Sequence, residues 1–145
     1  MKPVKFSVAV VVKNPKNSLE VLAVKRDSLD EQFPGVWALP ASVLKEGELP
    51  EEAVVRIGEE KLATSLKAVR TIGIRSADRG EYESILMNIE AELIGKEPSV
   101  KDAHTQGSKY VDQMWTSDYS ILFEAARQGG LCDRIFLESK GIRWE

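Results

Sequence analysis

Cysteine is all but missing. Cys132 is the single thiol, so neither an intramolecular disulfide nor a multi-cysteine zinc site can form, as suits a chain kept in a reducing cytoplasm. Histidine is as scarce: His104 stands alone in a polar loop near Asp102 and Thr105, where a solvated ring is expected and a general base is the alternative. Long hydrophobic runs are lacking too. The run Val8 to Val12 is far short of the roughly 20 residues a spanning helix needs, and no small-residue cleavage pattern follows it. A soluble chain with no membrane partner is therefore expected. Nor is there a surplus of one charge, since 20 Lys and Arg against 23 Asp and Glu leave a net −3. A nucleic-acid polymer usually asks for a basic excess and is not expected as a partner. A small anion in a locally basic pocket stays allowed. Ten glycines and six prolines are too few for a fibrous or disordered chain.

What remains is ordinary globular composition, 43% hydrophobic and 30% charged over 145 residues, enough for a single domain spanning 1–145. Val4–Lys13 is rich in β-branched residues and reads as a buried strand, with a turn over Asn14–Ser18 and an antiparallel strand over Leu19–Lys25. A polar loop from Arg26 closes at Phe33-Pro34-Gly35, and a short strand Val36–Leu39 leads to Pro40. Pro50 suits the first turn of a helix running to about Leu62, with Ala53, Val54 and Ile57 as core contacts. That helix has a poor cap in Leu49, and Gly58 within it costs about 1 kcal/mol relative to Ala.

Leu66–Arg75 and Tyr82–Leu93 read as long strands around the turn Ala77–Gly80, the second with an apolar face of Ile85, Met87, Ile89, Ala91 and Leu93. Tyr110–Trp115 is a last short strand. Ser117 or Asp118 then caps a helix through about Gln128, ended by Gly129-Gly130. Leu131–Ser139 follows as a second short helix or turn, with Cys132 in it as a small buried hydrophobe. Strands dominate early and helices late, which gives an α+β architecture.

The stretch that carries chemistry is Trp37–Ala63, WALPASVLKEGELPEEAVVRIGEEKLA. It is a strand, an acidic turn and a helix. Spacing by four aligns Glu52, Arg56 and Glu60 on one stripe, a layout that can hold Mg²⁺ beside a phosphate or can simply be a solvated face laced by Glu–Arg pairs.

Here the chain resembles the Nudix hydrolase family, whose signature is G-x5-E-x7-R-E-U-x-E-E-x-G-U with U a bulky aliphatic residue. Glu48, Arg56 and Glu60 fall on its Glu, its Arg and the first of its paired Glu slots. WALP-A-S resembles the family's W-x-x-P-G-G approach, and Glu46–Ala53 its G-E-x-P-E-E-A run. The departures are Ala41 and Ser42 for the opening glycines, Ile57 for the Glu after Arg56, Gly58 for the aliphatic residue, Lys61 for the second Glu, and Ala63 and Thr64 at the close.

The resemblance implies a Nudix-like mixed β-sheet sandwiched between helices. It further implies hydrolysis of a nucleoside diphosphate linked to another group, assisted by Mg²⁺ or Mn²⁺ that is bound weakly because Ile57 and Lys61 replace two carboxylates. In that scheme Glu60 and Glu48 hold the metal, Arg56 orients Glu48, and Glu59 is a substitute ligand. Arg26 could clamp the diphosphate and Trp37 could cover the cleft or stack on a base, against the plainer readings of an edge-strand charge and a packed ring. Lys61 is expected to project into solvent, with a phosphate contact as the alternative. Glu81 and Glu83, beside the strand turn, could supply a base. The competing hypothesis is a Nudix-fold module that binds a nucleotide or docks a protein without hydrolysis, and the plainest is a scaffold with no ligand. Oligomeric state is open, a homodimer being the commonest symmetric form.

Overall fold

Strand β1 (Val4–Asn14) alternates its burial between two cores. Side chains of successive strand residues point to opposite faces, and here Val8, Val10 and Val12 enter one apolar cluster while Ala9 and Val11 enter another. A strand buried on both faces needs a layer on each side. In this computed structural model, which describes residues 1–30, 32–103 and 110–145, helix α1 (Pro50–Lys61) supplies the first layer and the C-terminal helices the second. The mixed α+β sandwich implied by the resemblance is thus the observed architecture.

The sheet is mixed. β1 runs parallel to β6 (Glu83–Leu93), which pairs antiparallel with β5 (Leu66–Asp78). The other edge of β1 is shared. Ser7–Ala9 pair with the short β4 (Ala41–Val43), whereas Lys13 and Asn14 pair with β2 (Asn17–Arg26). β2 then carries β3 (Trp37–Ala38) and β7 (Tyr110–Thr116).

Several boundaries differ from the sequence reading, each for a local reason. The strand expected over Val36–Leu39 pairs only at Trp37 and Ala38, and the chain then turns through Pro40, whose carbonyl accepts from Val10 N–H at 2.9 Å. The expected helix from Asp118 starts as a 3₁₀ turn, Tyr119–Leu122, with the Asp118 carboxylate capping Ser120 N–H, before α2 (Phe123–Arg127). β6 is buried on both faces because α3 (Leu131–Ser139) covers Leu86 and Asn88. Asn88, fully buried, donates to the Cys132 carbonyl at 2.9 Å and so fixes the start of α3 against the sheet.

Leu49 has no capping side chain, but Glu52 reaches back to Leu49 N–H at 2.9 Å and takes that duty. Gly58 also has a reason to be there. A Cβ at 58 would lie 2.9 Å from Leu66 Cγ and 3.0 Å from the Thr64 carbonyl oxygen, so only glycine lets α1 approach the start of β5. Beyond the helix, Ala63 adopts φ 50°, left-handed backbone that favours glycine, while Thr64 N–H closes onto the Gly58 carbonyl.

Two opposite outcomes follow for chemical denaturation. Gly58→Ala should lose about 1–3 kcal/mol through overpacking despite its better helix propensity, and Ala63→Gly should gain up to about 1 kcal/mol. A Gly58→Ala variant more stable than the parent would contradict the packing argument.

Candidate active site

A cleft of about 750 Å³ opens beside the N-terminal half of β1, at Lys5 and Ser7, and the short β4. β1 and β4 form one wall, α1 contributes Arg56, Glu60 and Lys61, and the start of α3 contributes Cys132 and Asp133. The helix places these side chains by its period. Ala53, Ile57 and Lys61 are spaced by four and face the sheet, with Arg56 and Glu60 on the adjoining stripe toward the cleft.

Arg56 is clamped. Its Nε donates to Glu48 Oε2 at 2.8 Å and its Nη2 to Glu48 Oε1 at 2.9 Å, while further bonds reach Ser42 Oγ at 3.1 Å and the Val43 carbonyl at 2.9 Å. The structure therefore brings Arg56 and Glu48 together in a two-pronged pair that ties the acidic turn and β4 to α1. The pair holds the Glu48 carboxyl below its ordinary value and the Arg56 guanidinium above its own. Glu60 lies at the cleft with Lys45 Nζ 3.7 Å and Arg56 Nη1 3.9 Å from its carboxylate.

Lys61 corrects the sequence reading. Instead of projecting into solvent it is 8% exposed, its stem running through the core face of α1 and its Nζ donating to the Ala41 carbonyl at 2.8 Å. The ammonium lies 5.1 Å from the centre of the Tyr110 ring. Tyr110 Oη in turn accepts from Ala41 N–H at 2.9 Å and donates to the Ala41 carbonyl at 3.1 Å. Among the described residues no carboxylate stands within salt-bridge distance of Lys61. Burial lowers its proton affinity to about 8, helped by the cations Arg26 and Arg56 and opposed by Glu60 and Asp30, so at neutral pH it is still an ammonium.

Arg26 also lines the cleft, held by Asp30. Its Nε and Nη2 both donate to Asp30 Oδ2, at 3.0 and 2.9 Å, and its guanidinium sits over the Phe33 ring. Burial works to raise the Asp30 carboxyl, yet the Phe33 N–H, Arg26 and the Gln32 N–H together hold it below its ordinary value. Trp37 is not part of the cleft lining. Strand alternation gives that place to Ala38 and turns Trp37 to the apolar cluster that contains Leu39 and Leu122. Glu59 is exposed on another side of α1, beside Thr64 and Lys96, because one residue is about 100° of helix. Glu81 is exposed and Glu83 pairs with Val4 at the start of β6. His104 lies outside the described residues.

Sequence reasoning named Lys61 but misplaced it, and it missed Asp133. Lys61 was legible as the fourth residue after the buried Ile57. Asp133, 1% exposed in the cleft lining, accepts from Leu39 N–H at 3.1 Å, and burial pushes its carboxyl up to about 7. Its one local signal is its place three residues after Gly130 in the first turn of α3. Cys132 is buried as expected, and burial raises its thiol.

A divalent ion needs converging carboxylate oxygens. Both Glu48 oxygens are engaged by Arg56, Glu60 faces Lys45 and Arg56, and a buried ammonium stands where the family signature has its second paired Glu. Among the described residues no three His, Cys, Asp or Glu side chains gather as a metal-holding group. A divalent ion beside fixed cations meets repulsion of several kcal/mol at protein-like dielectric. The described residues do not fit one.

The NUDIX domain model matches residues 3–116, and the chain belongs to the Nudix family. Among solved structures, a MutT protein from Methanosarcina mazei Go1 matches with TM-score 0.70 at 19% identity, covering 96% of this chain and 97% of the other. A NUDIX hydrolase from Nitrosomonas europaea matches with TM-score 0.71 at 18% identity, covering 97% and 89%. An ADP-ribose pyrophosphatase from Streptococcus suis matches with TM-score 0.56 at 17% identity, covering 77% and 72%. These likenesses show the fold. No curated protein sequence matches the chain. No helix among the described residues is long and apolar enough to cross a membrane.

Asp133 and Lys61 set opposite pH slopes. Asp133 contributes stability that is full below the unfolded value of 3.8 and is lost as pH rises through about 7; Asp133→Asn should flatten that decline in urea titrations. Lys61 contributes stability only above the unfolded value of 10.5 and loses it as pH falls through about 8. Lys61→Met should therefore raise the melting temperature at neutral pH, by the equivalent of roughly 2–3 kcal/mol, with the advantage shrinking as pH climbs. A Lys61→Met variant less stable than the parent at neutral pH would contradict this account.

Proposed function

We propose that the cleft takes a nucleoside diphosphate linked to another group and holds it as a ligand. The observation that carries this reading is the charge of the lining. Among the described residues, Lys5, Arg26, Lys45, Arg56, Lys61 and Arg79 face the cavity against Glu60 and Asp133 as acids. A volume near 750 Å³ suits a small molecule, and clefts lined by one sign of charge concentrate the opposite sign. Phe33 and Tyr82 add aromatic surface for a base at the same opening. In this scheme Arg26 and Lys61 face the phosphates, and Arg56 acts indirectly by fixing Glu48, the turn and β4. The Streptococcus suis neighbour, an ADP-ribose pyrophosphatase by name, supports the ligand class. A reducing cytoplasm suits the lone Cys132 thiol, and a homodimer is the assembly proposed.

The second reading is hydrolysis of that ligand's phosphoanhydride with Mg²⁺ or Mn²⁺, as the family resemblance implies. What favours it is the retention of Glu48, Arg56 and Glu60 at their signature positions beside the cleft. There Glu60 and Glu48 would be the metal carboxylates.

One screen separates the readings. ADP and ADP-linked compounds should raise the melting temperature of the chain while adenosine does not, with no release of nucleoside monophosphate. Metal-dependent release of the monophosphate, abolished by EDTA and crippled in Glu60→Gln, would establish the second reading instead. No shift and no turnover across such a panel would sink both.

A further inference from the structure

We propose that the Lys61 ammonium is a built-in cation that receives the ligand's diphosphate, so that binding in this cleft needs no divalent ion. The inference rests on the reading that the cleft takes a diphosphate, and it names what replaces the metal there.

The argument is positional. Lys61 occupies the slot of the signature's second paired carboxylate, on the last turn of α1. Its stem follows the Ala53–Ile57 stripe under the sheet, so the ammonium is delivered to the cleft wall at Ala41 and not to bulk water. Fixing it there are the Ala41 carbonyl at 2.8 Å and the Tyr110 ring, itself anchored by two hydrogen bonds to Ala41. An ammonium has three protons to donate. Its one hydrogen bond among the described residues goes to the Ala41 carbonyl, leaving two donors on a group that lines the cavity.

A buried cation with no carboxylate partner among the described residues is an unfavourable thing to build. Its cost is relieved when an anion arrives, and a diphosphate carries charge enough for several cations at once. Arg26 and Arg56 line the same cavity, and both repel the Lys61 charge in the empty cleft. They already stand fixed, by Asp30 and by Glu48, so neither has to be ordered when ligand binds. The same three charges work against a divalent ion. Exchange of carboxylates for an isoleucine and an ammonium has thus not simply emptied the site; it has reversed its sign.

The test is isothermal titration of the full chain with ADP and, separately, with inorganic pyrophosphate, each in EDTA and in MgCl₂. The parent should bind in EDTA at least as tightly as in MgCl₂, because a magnesium-complexed diphosphate offers less charge to the cleft. Lys61→Met should weaken binding in EDTA by about tenfold or more, the scale of a lost hydrogen bond to a charged group, while remaining folded by its melting curve. Lys61→Glu should lose binding in EDTA and recover part of it in MgCl₂. Pyrophosphate binding assigns recognition to the diphosphate alone, and binding of ADP only assigns it to the diphosphate on a nucleotide; either upholds the inference. Binding by the parent only in MgCl₂, or undiminished binding by Lys61→Met, overturns it while leaving the ligand reading intact. Failure of both probes in both buffers brings down the ligand reading itself.

Discussion

The hydrogen bond from Lys61 Nζ to the Ala41 carbonyl joins the end of α1 to β4 at the wall of the cleft. Burial of an ammonium constrains everything near it. The group needs a polar anchor, which the Ala41 carbonyl supplies, and it needs its neighbours held at fixed distances, which Tyr110 supplies from β7. Three distant pieces of sequence therefore meet on one peptide group. Around that point the two guanidiniums each carry a balancing carboxylate, whereas the Lys61 ammonium has no salt bridge among the described residues. Glu48 goes to Arg56 and Asp30 to Arg26.

Those two ion pairs have a common effect. Each lies at the base of a loop bordering the cleft, and each uses a largely buried guanidinium to hold a carboxylate that also receives backbone N–H groups. Asp30 gathers the loop after β2, and Glu48 gathers the turn before α1. The pairs are partly shielded from water, so they are screened less by salt than exposed pairs. They hold the rim of the cleft rigid on a scaffold whose sheet is buried from both sides.

Much of this fold was legible because its central strand has an unmistakable composition. The run Val8–Val12 could only be buried, and Pro50 followed by two glutamates could only open a helix. The family signature then fixed the order of strands around them. What stayed hidden had physical causes. β4 is three residues long, too short to show any period, and it owes its existence to pairing with Ser7–Ala9. At Lys61 position prevails over residue type, since the spacing from Ile57 puts even a lysine on the core face. Asp133 was invisible for a different reason. Its partner, Leu39 N–H, is 94 residues away in sequence, and no local pattern reports such a contact. Trp37 was placed in the right strand, but which face it used depended on register with β2.

Charge reversal in the metal position of a Nudix cleft is the claim on which the functional account stands. Anomalous diffraction from crystals soaked in MnCl₂, with and without ADP, reads it directly. The account predicts no manganese peak within coordinating distance of Glu60 or Glu48, and phosphate density against Lys61 in crystals that contain ADP. A manganese peak bridging Glu60 and the phosphates, with the Lys61 side chain displaced from Ala41, would contradict it.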